Sequence, residues 1–140
     1  MRLDHVNIVV TDMECAEQFY GGVLGLRRGF ERLLEGEWIE RVTGIPGARA
    51  QCVFYEPEGG GRIELLQYIT PQGELLPSNG LPYTPGVRHL AFEVDDLEEA
   101  VRHLRAHNVP VEEIRIDSIT GKRFTFFPDP DDLPLELYER

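Results

Sequence analysis

Displacing the sequence by 84 positions against itself aligns Leu3-Asp4-His5-Val6 with Val87-Arg88-His89-Leu90. The match continues through Val10 with Val94, Asp12 with Asp96, Glu14 with Glu98 and Ala16 with Ala100. A repeat of this period points to duplication, and a duplicated chain must fold as two copies of one unit. Each copy reads as an apolar strand followed by a helix with a capping signal, Thr11 with Glu14 in the first and Asp95 with Glu98 in the second. The strands are predicted over 2–10 and 87–94 and the helices over 12–23 and 96–107. Gly25 ends the first helix, and Asn108 and Pro110 end the second.

Three further strands are predicted after each helix, near 26–34, 49–56 and 62–69 and again near 110–117, 122–128 and 134–139, giving βαβββ twice. Residues 35–48, with Gly36, Trp38, Gly44, Pro46 and Gly47, have no counterpart in the second copy. They read as an insertion with one helical turn near 38–42, the kind of loop that carries substrate contacts. Residues 70–86 hold four prolines and three glycines and read as a linker, either a spacer or an arm that crosses to a partner subunit or covers the site. Gly59-Gly60-Gly61 reads as a hairpin turn, because no helix with a following Lys-Ser or Lys-Thr makes it a phosphate loop.

Odd and even positions separate the two faces of each strand. Val6, Ile8 and Val10, Leu90, Phe92 and Val94, Ile63 and Leu65, and Leu135 and Leu137 form an apolar face for the helices. His5, Glu64, His89 and Glu136 have the opposite parity in the same four strands, so each copy supplies one imidazole and one carboxylate. His5 and Glu64 lie 59 positions apart, and His89 and Glu136 lie 47 apart; the difference of 12 matches the insertion. Two imidazoles and two carboxylates suit one divalent ion, Zn, Ni, Co, Mn or Fe(II), with water or substrate completing its shell.

At 140 residues the chain is the size of one domain, here module 1 over 1–69, the linker, and module 2 over 87–140. No apolar run reaches the roughly 18 to 20 residues that cross a bilayer, and the polar-interrupted N-terminus does not read as a signal peptide, so a cytoplasmic protein is expected. Cys15 and Cys52 are too few for a disulfide framework and read as buried reduced thiols. A formal charge of −11 argues against nucleic acid and anionic membrane as partners. His103 and His107 read as an exposed helix face. Arg27, Arg28 and Arg32 read as a solvated strand edge, with contact to an anionic substrate tail as the functional alternative.

Several stretches resemble the vicinal oxygen chelate superfamily, the group of glyoxalase I, methylmalonyl-CoA epimerase, extradiol dioxygenases and bleomycin-resistance proteins. They are the His5 strand with Val10-Thr11-Asp12, Phe19-Tyr20, Leu24-Gly25-Leu26, the run from His89 to Asp96, and Phe127-Pro128-Asp129-Pro130 before Glu136. The resemblance implies an α+β fold whose two βαβββ modules form a cupped, mixed but mostly antiparallel sheet with helices on the outer face. It also implies a homodimer and a metal in the cup held by His5, Glu64, His89 and Glu136. The ligand pattern is nearest glyoxalase I and the epimerase. Against them, Glu64 stands where the epimerase commonly has Gln, Val9 stands where glyoxalase I has Arg, and Asp132-Leu133 replaces Gly-Asn.

The function so implied is a metal-dependent isomerase, epimerase or lyase that stabilises an enediolate of a small α-oxygenated carbonyl substrate, with Glu136 or Glu64 moving the proton. An Fe(II) or Mn(II) ring-cleaving dioxygenase built on His5, His89 and Glu136 is the alternative enzyme. A non-enzymatic drug-binding protein, its cup lined by Trp38, Tyr68 and Tyr138, is the alternative of another class.

Overall fold

A computed structural model of the chain describes residues 1–74 and 82–140. The duplication is visible in the topology. In the first half β1 (His5–Val9), α1 (Met13–Glu17), β2 (Arg27–Leu34), α2 (Glu37–Thr43), β3 (Arg49–Glu56) and β4 (Arg62–Thr70) follow in order. In the second half come β5 (Leu90–Val94), α3 (Leu97–Ala106), β6 (Arg115–Ile116), β7 (Arg123–Pro128) and β8 (Pro134–Glu139). Each half builds its own four-stranded mixed sheet, in the orders β1-β4-β3-β2 and β5-β8-β7-β6. The first and last strands of each half pair in parallel and the other pairs are antiparallel. This is the expected α+β pair of βαβββ modules. The chain divides into two compact units, Met1–Leu75 and Leu76–Arg140. Part of the linker expected over 70–86 lies outside the described residues.

The caps sit one residue later than the sequence reading placed them. Asp12 accepts from the Cys15 amide at 3.0 Å, and Asp96 accepts from the Glu99 amide at 2.8 Å. Both aspartates are extended and precede the first helical residue, as an N-cap must. The first helix also tightens differently. α1 runs for five residues and continues as a π-helical turn over Gln18–Val23, where Gly21 lets the chain pass close to Tyr55. A Cβ on Gly21 would stand 2.9 Å from the Tyr55 ring, so any larger residue would push that buried side chain out of place.

The strand expected over 110–117 is reduced to Arg115–Ile116. Upstream of it, the backbone turns its groups to other partners: the Glu112 amide donates to the Phe126 carbonyl, and the Glu112 carbonyl accepts from the Thr125 hydroxyl at 3.0 Å. The Gly59 to Gly61 run forms the turn between β3 and β4 with all three residues at positive φ, as a hairpin connection requires.

On the helix side of the first sheet Ile8, Val53, Tyr55, Ile63 and Leu65 are buried with Met13, Ala16, Phe19 and Tyr20. In the second unit Leu135, Leu137 and Phe127 are buried, together with Leu97, Val101 and Leu104 of α3. The parity expected from the sequence is therefore the parity observed. The insertion is more than a loop: α2 places Ile39 in a second buried cluster with Leu34, Ala48, Ala50, Cys52 and Phe54. Those strand residues have the parity of Glu64, so α2 packs on part of the sheet face opposite α1.

Candidate metal centre

The parallel register of each module fixes one carboxylate relative to one imidazole. Asn7 pairs with Glu64, so His5, two residues earlier on the same face, is diagonal to Glu64. Ala91 pairs with Glu136, which places His89 diagonal to Glu136 by the same offset. The side chains meet accordingly: His5 Nε2 lies 3.5 Å from Glu64 Oε2, and His89 Nε2 lies 3.0 Å from Glu136 Oε2. Both carboxylates are largely withdrawn from solvent, whereas both imidazoles are exposed.

Aromatic edges hold the rings in place. Phe54, opposite Glu64 on β3, meets His5 edge-on with centroids 5.8 Å apart. Phe126, opposite Glu136 on β7, meets His89 in the same way at 5.3 Å. Three positions thus repeat between the modules as a constellation of His, Glu and Phe, and such restraint is what keeps a ligand set in position. Among the described residues no three His, Cys, Asp or Glu side chains are gathered around one point, so each module carries a two-ligand pair.

The surroundings of the two pairs differ. The carboxylate of Asp4 accepts from His5 Nδ1 at 2.8 Å and also meets Arg62. Those two hydrogen bonds hold the Asp4 carboxyl below the usual carboxylate range. Asp4 thus holds the ring from its Nδ1 side while Nε2 faces Glu64, the orientation a metal ligand bound through Nε2 needs. Glu64 is itself tethered, because Asn7 Nδ2 donates to Oε2 at 3.2 Å and the Cys52 thiol donates to Oε1 at 3.6 Å. The corresponding positions in module 2 are Ala91 and Phe124, which have no such group to offer. Glu136 accordingly meets His89 and no other polar side chain among the described residues.

Asp4, Asn7 and Cys52 were not singled out from sequence. Asn7 and Cys52 share the parity of the ligands, and that was the signal available. Cys52 is the buried thiol expected, but Cys15 is exposed. Desolvation, reinforced by Glu64, pushes the Cys52 thiol up to about 11. It therefore stays protonated near neutral pH, and since the thiolate is the reactive form, iodoacetamide at pH 8 should alkylate Cys15 at least about tenfold faster than Cys52. Peptide mass analysis after timed quenching measures the two rates.

The strand-edge arginines separate into two groups. Arg27 is paired with Glu56, and Arg28 with Glu17 at 2.7 Å and with Glu31, so both are neutralised. Arg32 instead lies over the rings of Phe30 and Trp38, 5.9 and 5.5 Å from their centroids. Of the aromatic residues proposed for a ligand cup, Tyr68 packs against the α2 cluster and the Tyr138 hydroxyl meets Thr120 at 2.9 Å. His103 on α3 and His107 at its C-cap are exposed with ring centroids 4.4 Å apart.

Comparison with known proteins agrees with this architecture. The family model for the glyoxalase/bleomycin resistance protein/dioxygenase superfamily matches residues 2–137. The chain is 41% identical to the Escherichia coli (strain K12) protein YaeR over 139 residues, covering 99% of this chain and 96% of that one. It is 30% identical to a 2-epi-5-epi-valiolone epimerase of an Actinomyces species, covering 95% of this chain and 76% of the epimerase. A crystal structure of a glyoxalase family protein from Bacillus cereus superposes with a TM-score of 0.86 at 26% identity, covering 99% of this chain and 93% of that one. With a family model spanning almost every residue and the paired modules in place, this chain belongs to the glyoxalase/bleomycin resistance protein/dioxygenase superfamily, the vicinal oxygen chelate proteins.

Proposed function

We propose that the protein is a metal-dependent isomerase, epimerase or lyase of the glyoxalase type, acting on a small α-oxygenated carbonyl compound. The observation that carries the reading is the repeated His–Glu pair, 3.5 Å in one module and 3.0 Å in the other, on equivalent strand positions. The ligands in this proposal are His5 and Glu64 of one module and His89 and Glu136 of the other, and two imidazole nitrogens with two carboxylates are donor types that suit a borderline divalent ion. The active species in this proposal is a homodimer, and its substrate is a small molecule. When bound, such an ion supplies the positive charge that makes the carbon next to a chelated carbonyl acidic enough to lose a proton as an enediolate forms.

The residues then divide the work. His5, oriented by Asp4, and Glu64, held by Asn7 and Cys52, are the fixed side of the centre. Glu136 has fewer restraints and is the carboxylate that can leave its resting position, take the proton and return it. The epimerase relative supports a reaction of this proton-moving class.

Cobalt(II) titration of the chelator-stripped protein tests the centre. One ion is expected to bind per chain with a visible absorption band, and His5→Ala or His89→Ala should each weaken binding by at least about tenfold. Unchanged affinity in both variants would place the ion elsewhere. Light scattering on the same samples checks the dimer.

A further inference from the structure

Arg32 occupies an unusual place for a cation in a chain with a net charge of −11. It has the parity of the Glu64 face, pairing with Cys52 in the β2–β3 register. Its neighbours Arg27 and Arg28 are taken up by acids, whereas no described acid lies within ion-pair reach of Arg32. What fixes it is stacking against Phe30 and Trp38, a cation–π arrangement that restrains the guanidinium but leaves its hydrogen-bonding edge for another partner. The guanidinium also reaches Cys52, and the Cys52 thiol donates to Glu64. Two groups touching one sulfur are at most about 7 Å apart.

We propose that Arg32 is the anion-binding residue of this site and that the substrate carries a carboxylate beyond its α-oxygenated carbonyl group. The inference rests on the proposed metal centre and narrows its substrate class. Arg32 is a cation on the Glu64 face with no described acid paired to it, so it can attract the distal anionic end of a substrate whose other end lies at the proposed metal. A planar carboxylate matches the guanidinium fork with two parallel hydrogen bonds. A span of at most about 7 Å, less one hydrogen bond, leaves room for at most about three carbon atoms between the carboxylate and the oxygens at the His5–Glu64 pair. Arg32 thus selects compounds that carry a distal carboxylate over those that lack one.

The test compares 2-oxoglutarate, which has a distal carboxylate, with 2-oxobutyrate, which lacks one, on cobalt-loaded protein. Two readouts are available at once. The cobalt absorption band reports chelation. Trp38, the single tryptophan, reports events at Arg32 through its fluorescence. 2-Oxoglutarate is expected to bind at least about tenfold more tightly and to change the Trp38 emission, and Arg32→Gln should remove that advantage while leaving 2-oxobutyrate affinity within about twofold. Equal affinities in the wild type, or an advantage that survives Arg32→Gln, would overturn the assignment. Should neither compound perturb the cobalt band, the metal reading fails by itself. The Trp38 signal still decides for Arg32, because saturable quenching by 2-oxoglutarate that Arg32→Gln abolishes supports it and its absence sinks it.

Discussion

Glu136→Gln is expected to lower hydrogen–deuterium exchange at the carbon of an α-hydroxycarbonyl substrate by about 10² to 10⁴-fold, the usual worth of a positioned general base. The substitution is nearly isosteric. The amide oxygen still faces His89 Nε2, which stands 3.0 Å from Glu136 Oε2 in the native chain, so a bound ion keeps a neutral oxygen donor. What the amide cannot do is accept a proton. Glu64→Gln should behave differently, because Glu64 lies between Asn7, Cys52 and His5 and has little freedom to move. Its loss is expected mainly as weaker metal binding, with exchange restored at saturating metal. Exchange of glyceraldehyde in deuterium oxide, followed by NMR with cobalt saturation checked in each sample, distinguishes the two. Wild-type exchange in Glu136→Gln would pass the proton-moving role to another group.

The division between the two glutamates was not legible in the sequence, although the glutamates were. Strand parity and the repeat were enough to pick out His5, Glu64, His89 and Glu136, because a two-residue period survives any uncertainty about where a strand begins. It held even for His89, which precedes the first residue of β5. The differences between the modules depend on cross-strand register. Only the pairing of Asn7 with Glu64 and of Ala91 with Glu136 shows that one carboxylate has an amide beside it and the other a methyl group. Register is set by turns and bulges, and the bulge in β2 between Arg28 and Glu31 lies between the neutralised arginines and Arg32. The sequence reading grouped all three on one solvated strand edge, with contact to an anionic substrate tail as the alternative. The helical turn expected near 38–42 is present as α2, but the packing of Ile39 was not legible, because it is apolar for a reason that only the Ala50, Cys52 and Phe54 face explains.

Leu135→Ala is expected to cost about 2 to 5 kcal/mol of folding stability, the range for removing a large aliphatic side chain from a packed interior. Leu135 is fully buried in β8, between Leu90 of the parallel neighbour and Phe127 of the antiparallel one. Both neighbours are fixed by sheet hydrogen bonds and cannot close the cavity left by the lost carbons, which puts the expected cost above that of transfer alone. Stability of a small domain is only about 5 to 15 kcal/mol, so much of it would be lost. Urea unfolding should show a lower midpoint with an unchanged slope. Leu33→Ala on β2, a residue 43% exposed, should stay within about 0.5 kcal/mol. Leu135 and Glu136 project to opposite faces of one strand, so cobalt affinity per folded molecule should be the same in Leu135→Ala as in the wild type. A matching loss of affinity would mean that the helix-side core and the ligand face do not act independently across β8.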